Sequence, residues 1–135
     1  MKIVCISGGF DPLHEGHVEL IKQASAYGNV VAILNSDDWL MRKKGMCVMS
    51  WQSRAKILAA MRNIDYVVNV DDTDGTVCEA LRRVKPDYFA NGGDRTEENT
   101  PELELCKELG IKPLFGVGGD KIASSSEIIR RAANG

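Results

Sequence analysis

The sequence predicts an α/β fold: a Rossmann-like, doubly wound sheet of five parallel strands with helices on both faces. Three observations predict it. Short β-branched runs alternate along the chain with segments of helical period. Each strand-like run is followed by a helix-like one, the order that returns the chain to the same end of a sheet and makes its strands parallel. The chain is also the size of one ordinary domain, with 135 residues and 44% hydrophobic composition, enough to fill one core.

The elements follow in order. "KIVCI" (2–6) reads as a buried strand, after which Leu20, Ile21, Ala24 and Tyr27 form a stripe of helical period closed by Gly28. "VVAIL" (30–34) is the second strand. The stretch 36–50 is polar, basic and irregular, until Trp51, Ala55, Leu58 and Met61 mark a second helix. "YVVNV" (66–70) is the third strand, and Val77, Ala80, Leu81 and Val84 give the third helix, which stops before Pro86. "DYFAN" (87–91) is a fourth, shorter strand; Pro101 then sits near the start of a helix carrying Leu103, Cys106 and Leu109, with Gly110 as its stop. "KPLFGV" (112–117) is the fifth strand, and Pro113 assigns it to an edge or confines its pairing to the second half. A last helix runs through "SSSEIIRR" (124–131). There is no internal repeat, low-complexity tract or linker, so the long irregular stretches 35–50 and 91–100 fall on the surface as candidate active-site loops.

Bulk properties exclude several classes of function. A net charge of −2 and a pI near 5.7 provide no general basic field, so nucleic-acid and membrane-surface binding are not expected and any anion site must be local. No apolar run is long enough to span a bilayer, and "MKIVCISGGF" is too short and glycine-broken for a signal peptide, which predicts a cytoplasmic protein. Cys5, Cys47, Cys78 and Cys106 are scattered without a C-x-x-C pair, the pattern of reduced, mostly buried thiols.

Chemistry concentrates at three places that such a sheet brings together beyond its carboxyl edge. The first is "GGFDPLHEGH" (8–17), which holds both histidines of the chain. Gly8 and Gly9 allow close backbone approach to a ligand, and a helix starting near Glu15 aims unpaired N–H groups into the same space. His14 and His17, three apart, lie on one side of that start; two imidazoles there make a cradle for phosphate. A zinc site would require one or two further ligands, and Asp11 is the only obvious neighbour, so no metal-ligand set is assigned. The second is "SSSEIIRR", where Ser124 and Glu127 fit a capping box, and where three hydroxyls follow "GVGGDK" at a helix start with Arg130 close by. The third is "RKKG" (42–45), a basic cluster read as part of the loop after the second strand and able to fold over phosphates. Neither a G-x-x-x-x-G-K-[ST] loop nor a complete G-x-G-x-x-G is present.

These residues resemble a known family. "GGFDPLHEGH" matches the GxFDxxHxGH signature of the cytidylyltransferase-like nucleotidyltransferases at Gly8, Phe10, Asp11, His14, Gly16 and His17. "NSDDWLMRKKG", "SRAKILAAMRNIDYVV", "KPDYFANGGD" and "SSSEIIRR" follow in family order, so the resemblance covers nearly the whole chain. The pattern is most similar to the heptose 1-phosphate adenylyltransferase and glycerol 3-phosphate cytidylyltransferase branches. Two positions depart from the heptose branch, Asn91 for a lysine and Arg95 for an aromatic.

The resemblance implies nucleotidyl transfer, in which the phosphate of a small phosphorylated acceptor attacks the α-phosphorus of a nucleoside triphosphate and pyrophosphate leaves. It implies adenylyl transfer to a heptose-like sugar 1-phosphate first and cytidylyl transfer to glycerol 3-phosphate or a similar polyol phosphate second; a nucleotide-binding module without catalysis is the alternative of another class. It further implies Mg2+ on the triphosphate, and homodimers are common in the family. By position, His14 and His17 contact the phosphates and Lys43 or Lys44 closes over them. Ser125, Ser126 and Arg130 hold the β- and γ-phosphates, Ser124 counts among the nucleotide-binding residues, and Arg54 reaches the triphosphate side, unless Arg54 is simply a solvent-facing helix residue. Gly92, Gly93 and Asp94 line base and ribose, while Gly8, Gly9, Phe10, Asp11 and Gly16 shape the turn around the nucleotide.

Overall fold

Alternating side chains of the two central strands, β1 (Ile3–Gly8) and β2 (Asn29–Leu34), feed opposite cores. Val4, Ile6, Val30, Ala32 and Leu34 enter one cluster, and Cys5, Val31 and Ile33 enter the other. A strand buried on both faces needs a layer of helices on each side, which is the doubly wound arrangement the sequence predicts. The computed structural model describes residues 1–93, 95–119 and 125–134, with backbone alone at 125, 126 and 134.

The sheet has five strands in the order β3-β2-β1-β4-β5, all pairs parallel, with β3 at Ile64–Val68, β4 at Tyr88–Ala90 and β5 at Lys112–Leu114. Helices α1 (Glu15–Ala24) and α3 (Trp51–Ala59) cover the first core through Ile21, Ala24 and Leu58. Helices α4 (Cys78–Val84) and α5 (Leu103–Leu109) cover the second through Ala80, Leu81, Leu105 and Cys106. Helix α6 (Ser125–Asn134) closes the chain. No helix among the described residues is long and apolar enough to cross a membrane.

Two expectations need correction. Residues 37–44 are not irregular; they form helix α2 (Asp37–Lys44), capped by the Ser36 hydroxyl at its start and by Gly45 in the left-handed region (φ 77°) at its end. The third strand begins two residues earlier than the β-branched run suggests, because Ile64 pairs with Val30 ahead of a register shift that leaves Asp65 of β3 without an opposite residue in β2. Pro113 pairs opposite Phe89 on the outermost strand, where its missing N–H leaves no ladder bond unmade within the sheet.

Candidate active site

The strand order reverses at β1: the chain moves outward through β2 to β3, then returns to the other side of β1 as β4. The connections leaving β1 and β4 therefore diverge to opposite sides and leave a crevice beyond their carboxyl ends, where sheets of this kind take ligands. The turn from Gly9 to His14 leaves β1, and Asn91, Gly92 and Gly93 leave β4, so the fold brings these two predicted segments to one place.

At that crevice the two histidines form one unit. His14 is the N-cap of α1: its Nδ1 accepts from the Gly16 N–H at 3.1 Å, while His17 Nδ1 accepts from the His14 N–H at 3.2 Å. This is a capping box built from imidazoles in place of hydroxyl and carboxylate. Because each Nδ1 is occupied as an acceptor, the ring proton of the neutral form sits on Nε2. The rings stack at 3.8 Å between centroids with 23° between planes, and Phe10 meets His17 edge-on at 4.9 Å. The result is two half-buried Nε2–H donors held side by side at a helix N-terminus, an arrangement suited to an anionic oxygen.

The residues around this pair are held by the protein itself. Phe10 is buried in the left-handed region (φ 49°), a costly conformation for a non-glycine residue that turns its ring into the first core. Asp11, read from the sequence as nucleotide-binding, is buried with both carboxylate oxygens receiving backbone N–H groups, from Val48 at 2.6 Å and Met49 at 2.9 Å. It ties the segment after α2 to the histidine turn. Gly9 also serves packing: a Cβ there would lie 2.6 Å from Leu40 Cδ2 and 3.5 Å from Trp39 Cζ3, so it admits α2, which is a different reason from the close ligand approach expected.

Arg54 departs furthest from expectation. It is not solvent-facing: its side chain is 0% exposed, and its described bonds are to the protein itself. Its Nε donates to Met49 O, its Nη1 to Gly9 O and Asn35 O, and its Nη2 to the Asp37 carboxylate. One guanidinium thus joins the ends of β1 and β2 to the start of α2 and the loop before α3. Asp72, which the sequence reading passed over, performs a parallel task. It is buried and accepts from Asn35 Nδ2, Ser36 N and Ser36 Oγ at 2.7–3.0 Å, fixing the start of α2 to the segment after β3.

Lys43 and Lys44 are the last turn of this braced helix, not part of an open loop. Lys43 is exposed, with its Nζ 6.0 Å from the centre of the Trp39 ring; Lys44 is half-buried. Nearby, burial and then the Asp37 carboxylate push the Cys47 thiol up. In α6 the Arg130 guanidinium is paired with Glu127 of its own helix at 2.7 Å, and no described contact joins it to the histidine turn. Ser125 and Ser126 lie in the first turn of α6, while Asp94 and Ser124 lie outside the described residues. Asn91, the departure noted before "GGD", is buried with its amide donating to Phe89 O and Leu114 O.

A family model described as cytidylyltransferase-like matches residues 5–132. The chain is 39% identical over 111 residues to the bifunctional protein HldE of Syntrophotalea carbinolica, covering 80% of this chain and 22% of that one. It is 36% identical over 142 residues to the HldE of Hyphomonas neptunium, covering 100% and 28%. The chain thus spans about a quarter of the length of these curated relatives. Among solved structures, the lipopolysaccharide core biosynthesis protein of Thermoplasma volcanium superposes with a TM-score of 0.71 at 24% identity, covering 85% of this chain and 95% of that one, a likeness of fold. With the motif order, the sheet topology and the family match in agreement, the chain belongs to the cytidylyltransferase-like family and is a nucleotidyltransferase domain.

Proposed function

We propose that this domain transfers a nucleoside monophosphate from ATP or CTP to a phosphorylated sugar or polyol, releasing pyrophosphate. Adenylyl transfer to a heptose-like sugar 1-phosphate is the preferred reaction, supported by the similarity to HldE proteins. The observation that carries the reading is the stacked histidine pair, whose Nε2–H donors sit together at the N-terminus of α1.

Such a site works by position and charge. The acceptor phosphate oxygen attacks the α-phosphorus in line, a P–O bond forms as the bond to the pyrophosphate oxygen breaks, and no bond to the protein is made. The negative charge that spreads over the α-phosphate oxygens is met by donors already in place, so little reorganisation is needed as the reaction proceeds. His14 and His17 supply two of these donors, and the lysines at the end of α2 supply cations on the facing side. Imidazole N–H and ammonium groups suit phosphate oxygens and not a hard dication, so Mg2+ would ride on the triphosphate with water. It would neutralise charge on the leaving pyrophosphate. Ser125, Ser126 and Arg130 are proposed to join at the β- and γ-phosphates, and Gly92, Gly93 and Asp94 at base and ribose; for Arg130 this requires the ion pair with Glu127 to yield.

The test is a pyrophosphate-release screen of ATP and CTP against sugar and polyol phosphates with magnesium. ATP with a heptose or hexose 1-phosphate should give the fastest release. CTP with glycerol 3-phosphate as the best pair would move the assignment to the cytidylyl branch, and pyrophosphate release that ignores the acceptor would overturn transfer altogether.

A further inference from the structure

Helix α2 carries the lysines proposed to meet the phosphates, yet little apolar surface holds it. It has 8 residues, and only Leu40 among them is buried. A helix shorter than about 12–15 residues is marginal in water by itself, so its place must be set by the rest of the protein. The positions of Lys43 and Lys44 relative to the histidine turn therefore depend on polar ties, and ties from both ends of α2 meet at one residue of another segment, Asp72.

At the start of α2 the Ser36 hydroxyl donates to Asp72 Oδ1 at 2.7 Å and accepts from the Trp39 N–H at 3.0 Å. The carboxylate takes the one hydroxyl proton and leaves a lone pair aimed into the helix, so the cap depends on Asp72. The Ser36 N–H adds a bond to Oδ2 at 2.8 Å. In the last turn, next to Lys43, Arg42 donates from Nη2 to the Asp72 carbonyl at 2.9 Å, and the same nitrogen lies 3.8 Å from Oδ1. Two anchors at opposite ends fix the direction of a helix as well as its place, whereas one would leave it free to swing. Asp72 is itself held. It is 3% exposed; its Oδ2 also accepts from Asn35 Nδ2 at 3.0 Å, and its carbonyl also accepts from the Gly75 N–H at 2.9 Å. The Asn35 N–H in turn donates to Gly8 O at 3.0 Å. A run of bonds thus leads from Gly8, where the chain enters the histidine turn, through Asn35 and Asp72 to both ends of α2.

We infer that Asp72 is a positioning residue of the nucleotide site: it sets the span between the lysines of α2 and the imidazoles of His14 and His17, so that both groups meet one triphosphate. It acts through the lysines and not on substrate, because its buried carboxylate is occupied by Asn35 and Ser36. This role rests on the proposed nucleotidyl transfer, in which those lysines face the histidine pair across the phosphates.

The test is a double-mutant cycle read by nucleotide affinity. ATP and CTP are each titrated with magnesium, and the one that binds unmodified protein more tightly is the probe. Lys43→Met/Lys44→Met should weaken its binding about tenfold or more. Asp72→Asn keeps the shape of the side chain, but one oxygen becomes an NH2 that cannot accept and the charge facing Arg42 is lost. Affinity should fall about tenfold from this change alone, and by less than about twofold when it is made in the Lys43→Met/Lys44→Met background. A merely structural role would give equal losses in both backgrounds. Hydrogen exchange should quicken at the Leu40 and Gly45 amides, which close α2, and stay unchanged in α1. Should Asp72→Asn fail to fold, Arg42→Met, at a half-exposed side chain, removes only the tie at the last turn and should show the same dependence on the lysines. Equal losses in both backgrounds overturn the inference, as do unchanged affinity in Asp72→Asn and full affinity in Lys43→Met/Lys44→Met. The expected coupling, found in a protein that releases no pyrophosphate with any acceptor, would refute the transfer reaction and leave Asp72 in its role. Binding of neither nucleotide to unmodified protein would refute both.

Discussion

Each histidine of the pair has two tasks, and substitution can separate them. His14 caps α1 through Nδ1 and in its neutral form carries its ring proton on Nε2, so His14→Ala removes both a cap and a donor. Loss of the cap should cost about 1 kcal/mol of stability, and loss of one transition-state donor about 10²–10³ in kcat. Asparagine is among the best N-cap residues but places no donor where Nε2–H stood. His14→Asn is therefore expected to retain the urea midpoint while kcat falls as far as in the alanine variant; equal activity of His14→Asn and unmodified protein would remove His14 from the chemistry. Arg54 is the opposite case, a charged group in a site-forming segment whose described bonds are all internal. Truncation to alanine removes the guanidinium donors from three carbonyl groups and a carboxylate, and the expected loss is roughly 3–5 kcal/mol. Arg54→Lys should recover little of it, because one ammonium cannot match the span of a planar guanidinium. Urea denaturation of both variants measures this directly.

Helix α2 connects these residues to the cations and explains why part of the site escaped the sequence. Its end signals are plain: Ser36, then Asp37 and Asp38 in the first turn, Arg42, Lys43 and Lys44 in the last, and Gly45 beyond. Its apolar stripe is not, since only Leu40 is buried. A search for hydrophobic period has one residue to find there, and the helix is held instead by the polar ties of Ser36 and Asp72 and by Arg54 bonding to Asp37. Leu40 is nonetheless fully buried against Gly9, so Gly9→Ala forces a methyl to within 2.6 Å of it. Overpacking of this kind costs about 1–3 kcal/mol. The displacement falls on the helix that carries Lys43 and Lys44, so the KM for nucleotide should rise with it. Leu40→Ala placed in the Gly9→Ala background should recover affinity more than stability, because it makes room at the cost of a core contact. Recovery of neither would show that Gly9 serves something other than admission of α2.

At the scale of the whole molecule, the alternation in β1 and β2 made the two-sided core readable, and the glycine-rich turn with its histidines made the reaction class readable through the resemblance. What stayed hidden was direction. An aspartate beside the histidines, or an arginine one turn into a helix, has the same composition whether it faces a ligand or the protein's own amides, and Asp11 and Arg54 face inward. The cysteines test how well the second core is sealed. Cys5 in the central strand and Cys106 in α5 belong to that one cluster. Burial, followed by the neighbouring Cys106, pushes the Cys5 thiol up to about 12; burial, followed by Glu102, pushes Cys106 up to about 11. Both thiols in the folded protein therefore keep their protons at a pH where the unfolded chain has lost them. The folded state then binds more protons than the unfolded state, and stability must fall as pH rises above about 9, by at most about 1.4 kcal/mol per pH unit for each thiol. Below that pH their contribution is constant. Urea midpoints taken from pH 8 to 10.5 should decline, and Cys5→Val, which keeps the site apolar without a proton to lose, should flatten the decline even if it shifts the whole curve. In the same pH range, labelling of Cys5 and Cys106 by a disulfide reagent should proceed only as fast as the molecule unfolds, and a nucleotide bound at the histidine turn should slow it. Rapid labelling of either thiol in folded protein at pH 8 would mean that the core beneath β1 opens locally, and that its tight packing is not the support on which the histidine turn rests.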